Sequence, residues 1–277
     1  MTASTELDDL AARTGTRLSV WVGPTAGPPW LTRRPNIVHP AASTFKLPLV
    51  IAAHQLAAVG RLDLADLVQV QPTFASAADA TPYELTADYD NDDLVWRHLG
   101  EAVPIGWLME RAVVRSSNLA TNLLLERVGT AAVNDVYSTV GAERSRLRRG
   151  IQDARASALG ISNTGTAADL AGVVRGLLSG RLLDPAASDA VERLLAASEW
   201  NDAIPAGLPV GTYVAHKSGW TDECCHDVGV VRPAGDEPFV LSLFTSTSLP
   251  EALAHTVVAE AAGICWRQRP RRRTLDA

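Results

Sequence analysis

The stretch PAASTFKLPLVIAAHQ, residues 40–55, sets a lysine at the head of an apolar run. Lys46 is followed by LPLVIAA, which reads as a buried helix, and Ser43 stands three residues before it. Positions i and i+3 share one face of a helix, so the two side chains are within reach of each other. A serine in the first turn meets free backbone N–H groups and the positive end of the helix dipole, and both favour a developing alkoxide. A lysine one turn deeper is desolvated, which favours its neutral form. A neutral amine beside a hydroxyl is a general base beside a nucleophile. Pro48 forfeits one backbone hydrogen bond, which is tolerable this close to a helix start. The bland alternative is a lysine that snorkels to solvent beside a helix-capping serine, and S-x-x-K alone does not separate the two.

Two further segments do. RAVVRSSNLATNLLLERVG (111–129) sets Ser116, Ser117 and Asn118 just ahead of a strongly apolar helix, and YVAHKSGWTDECCHDVGVV (213–231) sets Lys217, Ser218 and Gly219 at the end of a strand. The order S-x-x-K, S-[DS]-N, K-[ST]-G is a signature of class A β-lactamases and penicillin-binding proteins. The chain resembles a class A β-lactamase-like serine hydrolase from about residue 18 to 266.

The resemblance implies an acyl-enzyme formed when Ser43 attacks an amide, β-lactam or ester carbonyl, with Lys46 sharing the proton transfer and Ser116 relaying a proton to the leaving nitrogen. It implies that Asn118 bonds a substrate side-chain amide and orients the lysine, and that Lys217 and Ser218 hold the substrate carboxylate. Gly219 then lets a ligand approach the strand backbone. The backbone N–H groups of Ser43 and Trp220 form the implied oxyanion hole, each such donor contributing roughly 3–4 kcal/mol.

Two departures bear on the chemistry. The second motif reads SSN, with Ser117 where the family carries an aspartate of mainly structural role. The deacylating glutamate expected about 36 residues beyond Ser116 is missing: the count reaches Gln152, and no Glu lies between Glu143 and Glu192. Asp153 is the nearby carboxylate, readable either as a substitute deacylation base or as the cap of the helix that follows it. Efficient penicillinase turnover is therefore less expected than weak or altered β-lactamase activity. A D-Ala-D-Ala peptidase or other penicillin-binding enzyme, and a homologue that binds ligand without turnover, are the competing readings.

The pattern around these motifs predicts an antiparallel sheet flanked by helices plus an all-helical lobe, and the resemblance implies an α+β fold of the β-lactamase/transpeptidase type. LSVWV (18–22) reads as a strand and PNIVHP (35–40) as a second. Helical segments are expected at 44–59, 104–113, 117–128, 131–139, 166–179 and 187–197. TYVAHKSGW, HDVGVVRP and PFVLSLFTST read as later strands, and a helix closes the chain from about Pro250 to Trp266. Residues 1–42 and 200–277 are assigned to the sheet lobe and 43–199 to the helical lobe, with the site in the cleft between them.

With 277 residues, 47% of them hydrophobic, the chain can bury a large core. Its net charge of -6 gives no reason to expect nucleic acid or an acidic membrane as partner. The one basic cluster, RQRPRRR at 267–273, follows the last apolar segment and reads as a solvated tail. MTASTELDDLAARTGTRL has no apolar core of a signal peptide, and no run is long enough to span a membrane. Three cysteines, two of them adjacent, make no disulfide framework. The expectation is a cytoplasmic enzyme acting on a small molecule that carries a carbonyl and a carboxylate, with no cofactor.

DECCHD (222–227) invites a metal reading, but neighbours on a strand face opposite ways and no second cluster completes a ligand set. No metal is expected there. His54 reads as a hydrogen-bonded core histidine, and Trp96 and Trp107 as packing residues flanking the loop before the second motif.

Overall fold

Strands from the two ends of the chain pair with each other. In the computed structural model, which describes residues 2–270, β1 (Arg17–Pro24), β2 (Leu31–Arg33), β3 (Tyr213–Thr221), β4 (Cys224–Arg232) and β5 (Phe239–Ser246) form one sheet in the order β2-β1-β5-β4-β3. Every neighbouring pair is antiparallel, with Val20 opposite Leu243 and Ser218 opposite Asp227. The apolar residues alternate faces as a pleated strand requires. Val20, Leu241 and Leu243 enter one core, while Trp21, Val240 and Phe244 enter another on the opposite face.

The helices are α1 (Ala3–Thr14), α2 (Lys46–Ala58), α3 (Asp93–Arg97), α4 (Ile105–Val114), α5 (Asn118–Thr139), α6 (Ala154–Ala158), α7 (Ala167–Leu178), α8 (Pro185–Ala196) and α9 (Glu251–Gln268). Caps account for several of the starts. Ser117 accepts from the Ala120 N–H at the head of α5, Thr166 from Asp169 N–H at α7, and Asp184 from Ala187 N–H at α8. The two segments expected as separate helices form the two halves of α5, which meet at Gly129, whose backbone (φ 79°, ψ 149°) is not helical.

α1 and α9 cover one face of the sheet through Leu7, Leu10, Val258 and Ile264. On the other face α7 packs against β1, β4 and β5. Beyond it stand α2, α4 and α5, joined by Ile51, Leu108 and Leu124. α2 is buried from Lys46 through Ala53. A helix apolar on all sides belongs in an interior, and burying each of Leu47, Leu49 and Ile51 contributes about 1.5–3 kcal/mol. Such surroundings put the Lys46 ammonium under strong desolvation.

PNIVHP does not supply the second strand. Leu31–Arg33 does, and of the expected stretch only His39–Pro40 is extended, paired with Thr164–Gly165. Two prolines remove ladder donors from PNIVHP, and Arg34 turns the chain at φ 44° just before it. α9 runs two residues further than expected and ends on the first residues of the basic cluster. There Arg267 donates to Glu6 at 2.9 Å, while residues 271–273 lie outside the described residues. No helix among the described residues is long and apolar enough to cross a membrane.

Candidate active site

Ser43 sits in a 3-10 turn, Ala42–Phe45, that feeds directly into α2. Ala42 enters that turn at φ 42°, a left-handed conformation that is strained for a residue with a side chain. The turn is held against β3 by Gly219. A Cβ built on Gly219 would fall 2.5 Å from the Ser43 nitrogen and 3.0 Å from the Thr44 nitrogen, so only glycine lets strand and turn meet. The S-x-x-K and K-S-G motifs, some 170 residues apart in sequence, are thereby brought into contact.

Lys46 is fully buried and reaches the second motif. Its Nζ donates to the Ser116 carbonyl at 2.7 Å, Asn118 Oδ1 at 3.0 Å, the Ser117 carbonyl at 3.3 Å and Ser116 Oγ at 3.3 Å. Among the described residues Ser43 Oγ is not one of its partners. Ser43 itself lines the cleft. Burial, then the nearby Lys217 charge, lowers the Lys46 pKa well below the ordinary lysine value, with Asp90 opposing. In its neutral form the amine has two hydrogens for its best acceptors and a lone pair left for a hydroxyl proton.

Lys217 is also fully buried, and desolvation brings its pKa down to about 8 against the pull of Asp227. Its Nζ donates to Ser116 Oγ at 3.1 Å and to the Ser218 carbonyl at 2.8 Å. Ser116 Oγ is therefore shared by two lysines, an arrangement suited to passing a proton. Ser116 itself adopts φ 59°, a strain of about 1–3 kcal/mol that persists only where the surroundings enforce it. Here the Lys46 bond to its carbonyl and the Ser117 N–H bond to the Arg111 carbonyl (3.1 Å) enforce it. Ser218 Oγ is buried and makes no hydrogen bond. Trp220 stacks obliquely on Trp200 at 5.1 Å and lines the cleft.

That cleft has a volume of about 720 Å³ and lies between the Ser43 turn, Asn118, the 149–152 loop and the Trp220–Asp222 strand end. Of the residues singled out from sequence, Ser43, Asn118 and Trp220 line it, and Lys46, Ser116, Lys217 and Gly219 stand directly behind them.

Asp153 does not line it. Its carboxylate accepts from Ser76 Oγ (2.8 Å), Ala77 N–H (2.7 Å) and Ala156 N–H (3.0 Å). Burial raises its pKa, and these three hydrogen bonds together with the Arg149 charge more than offset that, leaving it below the ordinary carboxylate value. With three donors committed to it, Asp153 is the helix cap; the geometry gives the substitute-base reading no support. Gln152 lines the cleft together with Arg149 and Ile151 of that loop, at φ 59°, with Oε1 accepting from Thr86 N–H (3.1 Å) and a buried Nε2 that has no partner. Sequence counting reached Gln152 but gave it no part in the site.

Sequence reasoning also missed Asp90. Its Oδ1 accepts from Asn118 N–H (2.9 Å) and its Oδ2 from Leu119 N–H (2.7 Å), Ser117 Oγ (3.3 Å) and Trp96 Nε1 (3.0 Å). It lies in ADYDNDD, where acids crowd together as they do in any solvated loop, so no local signal marked it. Trp107 lies edge-on to His98 at 5.2 Å, and His54 on α2 is half-buried, its pKa lowered by desolvation with Asp184 opposing.

Four of the DECCHD residues, Cys224 to Asp227, are buried in the fold, while Asp222 and Glu223 are exposed. Cys224 and Cys225 are buried in β4. The His226 ring donates from Nε2 to the Pro40 carbonyl (2.7 Å), accepts Thr245 N–H (3.1 Å) at Nδ1, and stacks on Phe244. Asp227 binds His216 at 2.8 Å and Ile204 N–H at 2.9 Å. No group of three or more His, Cys, Asp or Glu side chains among the described residues is arranged to hold a metal ion.

Comparison with known proteins bears on the family and the fold. The model of a beta-lactamase enzyme family matches residues 2–268. A beta-lactamase of Streptomyces fradiae is 31% identical over 170 residues, which is 60% of this chain and 56% of that protein, so the match spans little more than half of that relative. Among solved structures, a mutant class A beta-lactamase of the last common ancestor of Gram-negative bacteria superposes with a TM-score of 0.83 at 27% identity, covering 96% of this chain and 98% of that one. A structure of PBP-A shares the fold at 21% identity and a TM-score of 0.80, covering 96% and 94%.

Proposed function

The chain belongs to the beta-lactamase enzyme family, a family of serine hydrolases, and from that premise we propose that it forms an acyl-enzyme on Ser43 from a small amide, β-lactam or ester that carries a carboxylate. The observation that carries this reading is the convergence of two buried lysines on Ser116 Oγ, at 3.3 and 3.1 Å, beside a nucleophile turn pressed against β3.

The Ser43 Oγ–H bond breaks as Oγ attacks the carbonyl carbon, and the proton goes to the lone pair of Lys46. The resulting oxyanion lies between the Ser43 and Trp220 N–H groups, donors fixed before the reaction begins. Collapse expels the amine or alkoxide, which takes a proton from Ser116 Oγ, and Ser116 is reprotonated through Lys46. Lys217, cationic below about pH 8, attracts the substrate carboxylate, and the unpaired Ser218 hydroxyl supplies it a donor.

Deacylation is the slow half. Gln152 reaches the cleft from the 149–152 loop, and an amide cannot accept a proton from water as a carboxylate does. A long-lived acyl-enzyme follows, which favours penicillin-binding behaviour over efficient penicillinase turnover. Time-resolved intact-mass spectrometry with a chromogenic cephalosporin tests this. A single adduct persisting for minutes supports it, rapid turnover with no accumulated adduct contradicts slow deacylation, and no adduct with any β-lactam or ester contradicts the acyl-enzyme.

A further inference from the structure

We propose that Asp90 is the positioning residue of the second motif, supplying from a distant loop the carboxylate that Ser117 lacks and holding Ser116 and Asn118 in register with Lys46. This rests on the proposed roles of Ser43 and Lys46.

α5 begins with free N–H groups that some acceptor has to satisfy. Ser117 Oγ takes only the one from Ala120. Both earlier ones, from Asn118 and Leu119, are taken by Asp90, one by each oxygen. A carboxylate here also complements the positive end of the helix dipole. The neighbouring peptide completes the clamp: Asn118 Nδ2 donates to the Tyr89 carbonyl at 2.5 Å, which turns Asn118 Oδ1 toward Lys46 at 3.0 Å. Asn118 is thus fixed by its backbone and its side chain from two consecutive residues of one loop.

The loop is itself anchored. Asp92, almost fully buried, caps α3 through Leu94 N–H (3.1 Å) and pairs with Arg111 of α4 at 2.5 Å. Trp96 of α3 donates its indole N–H back to Asp90. So four contacts on one carboxylate tie loop, α3 and α5 into the unit that presents the Ser116 carbonyl and hydroxyl to Lys46.

Charge adds a signature that packing alone would not give. Two charged groups act on Lys46, Lys217 from β3 and Asp90 from the loop, with opposite signs. Its direct hydrogen-bond partners, Ser116, Ser117 and Asn118, are neutral. Removing the Asp90 charge makes the amine easier to deprotonate, so the acidic limb of the acylation pH profile moves to lower pH.

The experiment compares wild type with Asp90→Asn, Ser117→Asp and the double variant, measuring Ser43 acylation by a cephalosporin across pH, thermal melting, and hydrogen exchange of the Asn118 and Leu119 amides. Asp90→Asn is expected to slow acylation by more than about tenfold, within the range of misaligned proton transfer, to shift the acidic limb downward and to speed exchange of both amides. Ser117→Asp alone sets two carboxylates side by side and slows acylation. In the double variant the carboxylate returns from position 117, and acylation recovers to within a few-fold of wild type. An Asp90→Asn protein with unchanged rate, limb and amide protection overturns the proposal, as does a double variant that recovers neither fold nor rate. If wild type itself is never acylated, the acyl-enzyme reading fails on its own, and amide protection then decides whether Asp90 positions α5.

Discussion

Gly219 and Ser43 touch through their backbones: the hydrogen that stands in for a side chain on Gly219 points at the Ser43 nitrogen, where a Cβ would come to 2.5 Å. The turn that carries Ser43 is thus positioned by a strand, and in the proposed mechanism the N–H groups of Ser43 and Trp220 flank the oxyanion. Gly219→Ala therefore forces backbone from backbone. Overpacking of this kind costs about 1–3 kcal/mol, and loss of an oxyanion donor slows the reaction by about 10²–10³. Stopped-flow acylation is expected to fall by at least a hundredfold while circular dichroism still reports a folded protein. Near wild-type acylation would show that the contact does not shape the site.

The two lysines give opposite limbs to one pH profile. The pKa of Lys46 lies well below the usual lysine value, so in the proposed mechanism it serves as base above that pKa and the acidic limb of kcat/KM is expected to report it. Lys217, lowered to about 8, is cationic below that pH and neutral above it. Attraction for a substrate carboxylate is present on the acid side and lost as pH rises through about 8. A carboxylate-bearing β-lactam should show this alkaline limb, and an ester without a carboxylate should not. Identical alkaline limbs for the two substrates would assign the limb to another group.

Gln152 makes deacylation a property that a single substitution can move. Gln152→Glu keeps the shape of the side chain and installs a proton acceptor on a residue that lines the cleft. The acyl-enzyme is expected to decay at least about tenfold faster, at the low end of general-base contributions, with little change in its formation. Decay followed by mass spectrometry that is no faster than wild type would remove Gln152 from the account.

Asp153 separates a structural role from a catalytic one. Asp153→Asn weakens the charge-assisted cap of α6 and the bonds to Ser76 and Ala77, a loss of about 1–2 kcal/mol. A lower denaturation midpoint with an unchanged lifetime of the acyl-enzyme is expected. A changed lifetime at unchanged stability would restore Asp153 to the chemistry.

What could be read from sequence was whatever a local pattern encodes. The buried α2 with its lysine and the strand around Lys217 follow from spacing and composition, and the resemblance carried by the three motifs grouped Ser43, Lys46, Ser116, Asn118 and Lys217 at one site. PNIVHP failed as a strand because its alternation said nothing of the turn at Arg34 or of donors missing at prolines. Asp90 was illegible for a different reason. Its partners at the head of α5 lie about 30 residues on, and an acid in a loop of acids looks the same whether it meets water or the head of a helix. Asp153 was legible only as a pair of alternatives, and three hydrogen bonds chose between them.

Mapping the point of covalent attachment tests the central claim most directly. Wild type is mixed with a penicillin, quenched in acid, digested and sequenced by tandem mass spectrometry, with Ser43→Ala and Lys46→Met carried alongside. One adduct per chain on Ser43, absent in Ser43→Ala and formed at least a hundredfold more slowly in Lys46→Met, a factor typical of losing a general base, is the result predicted here. An adduct on any other residue, or acylation of Ser43 at an undiminished rate without the Lys46 amine, would contradict it.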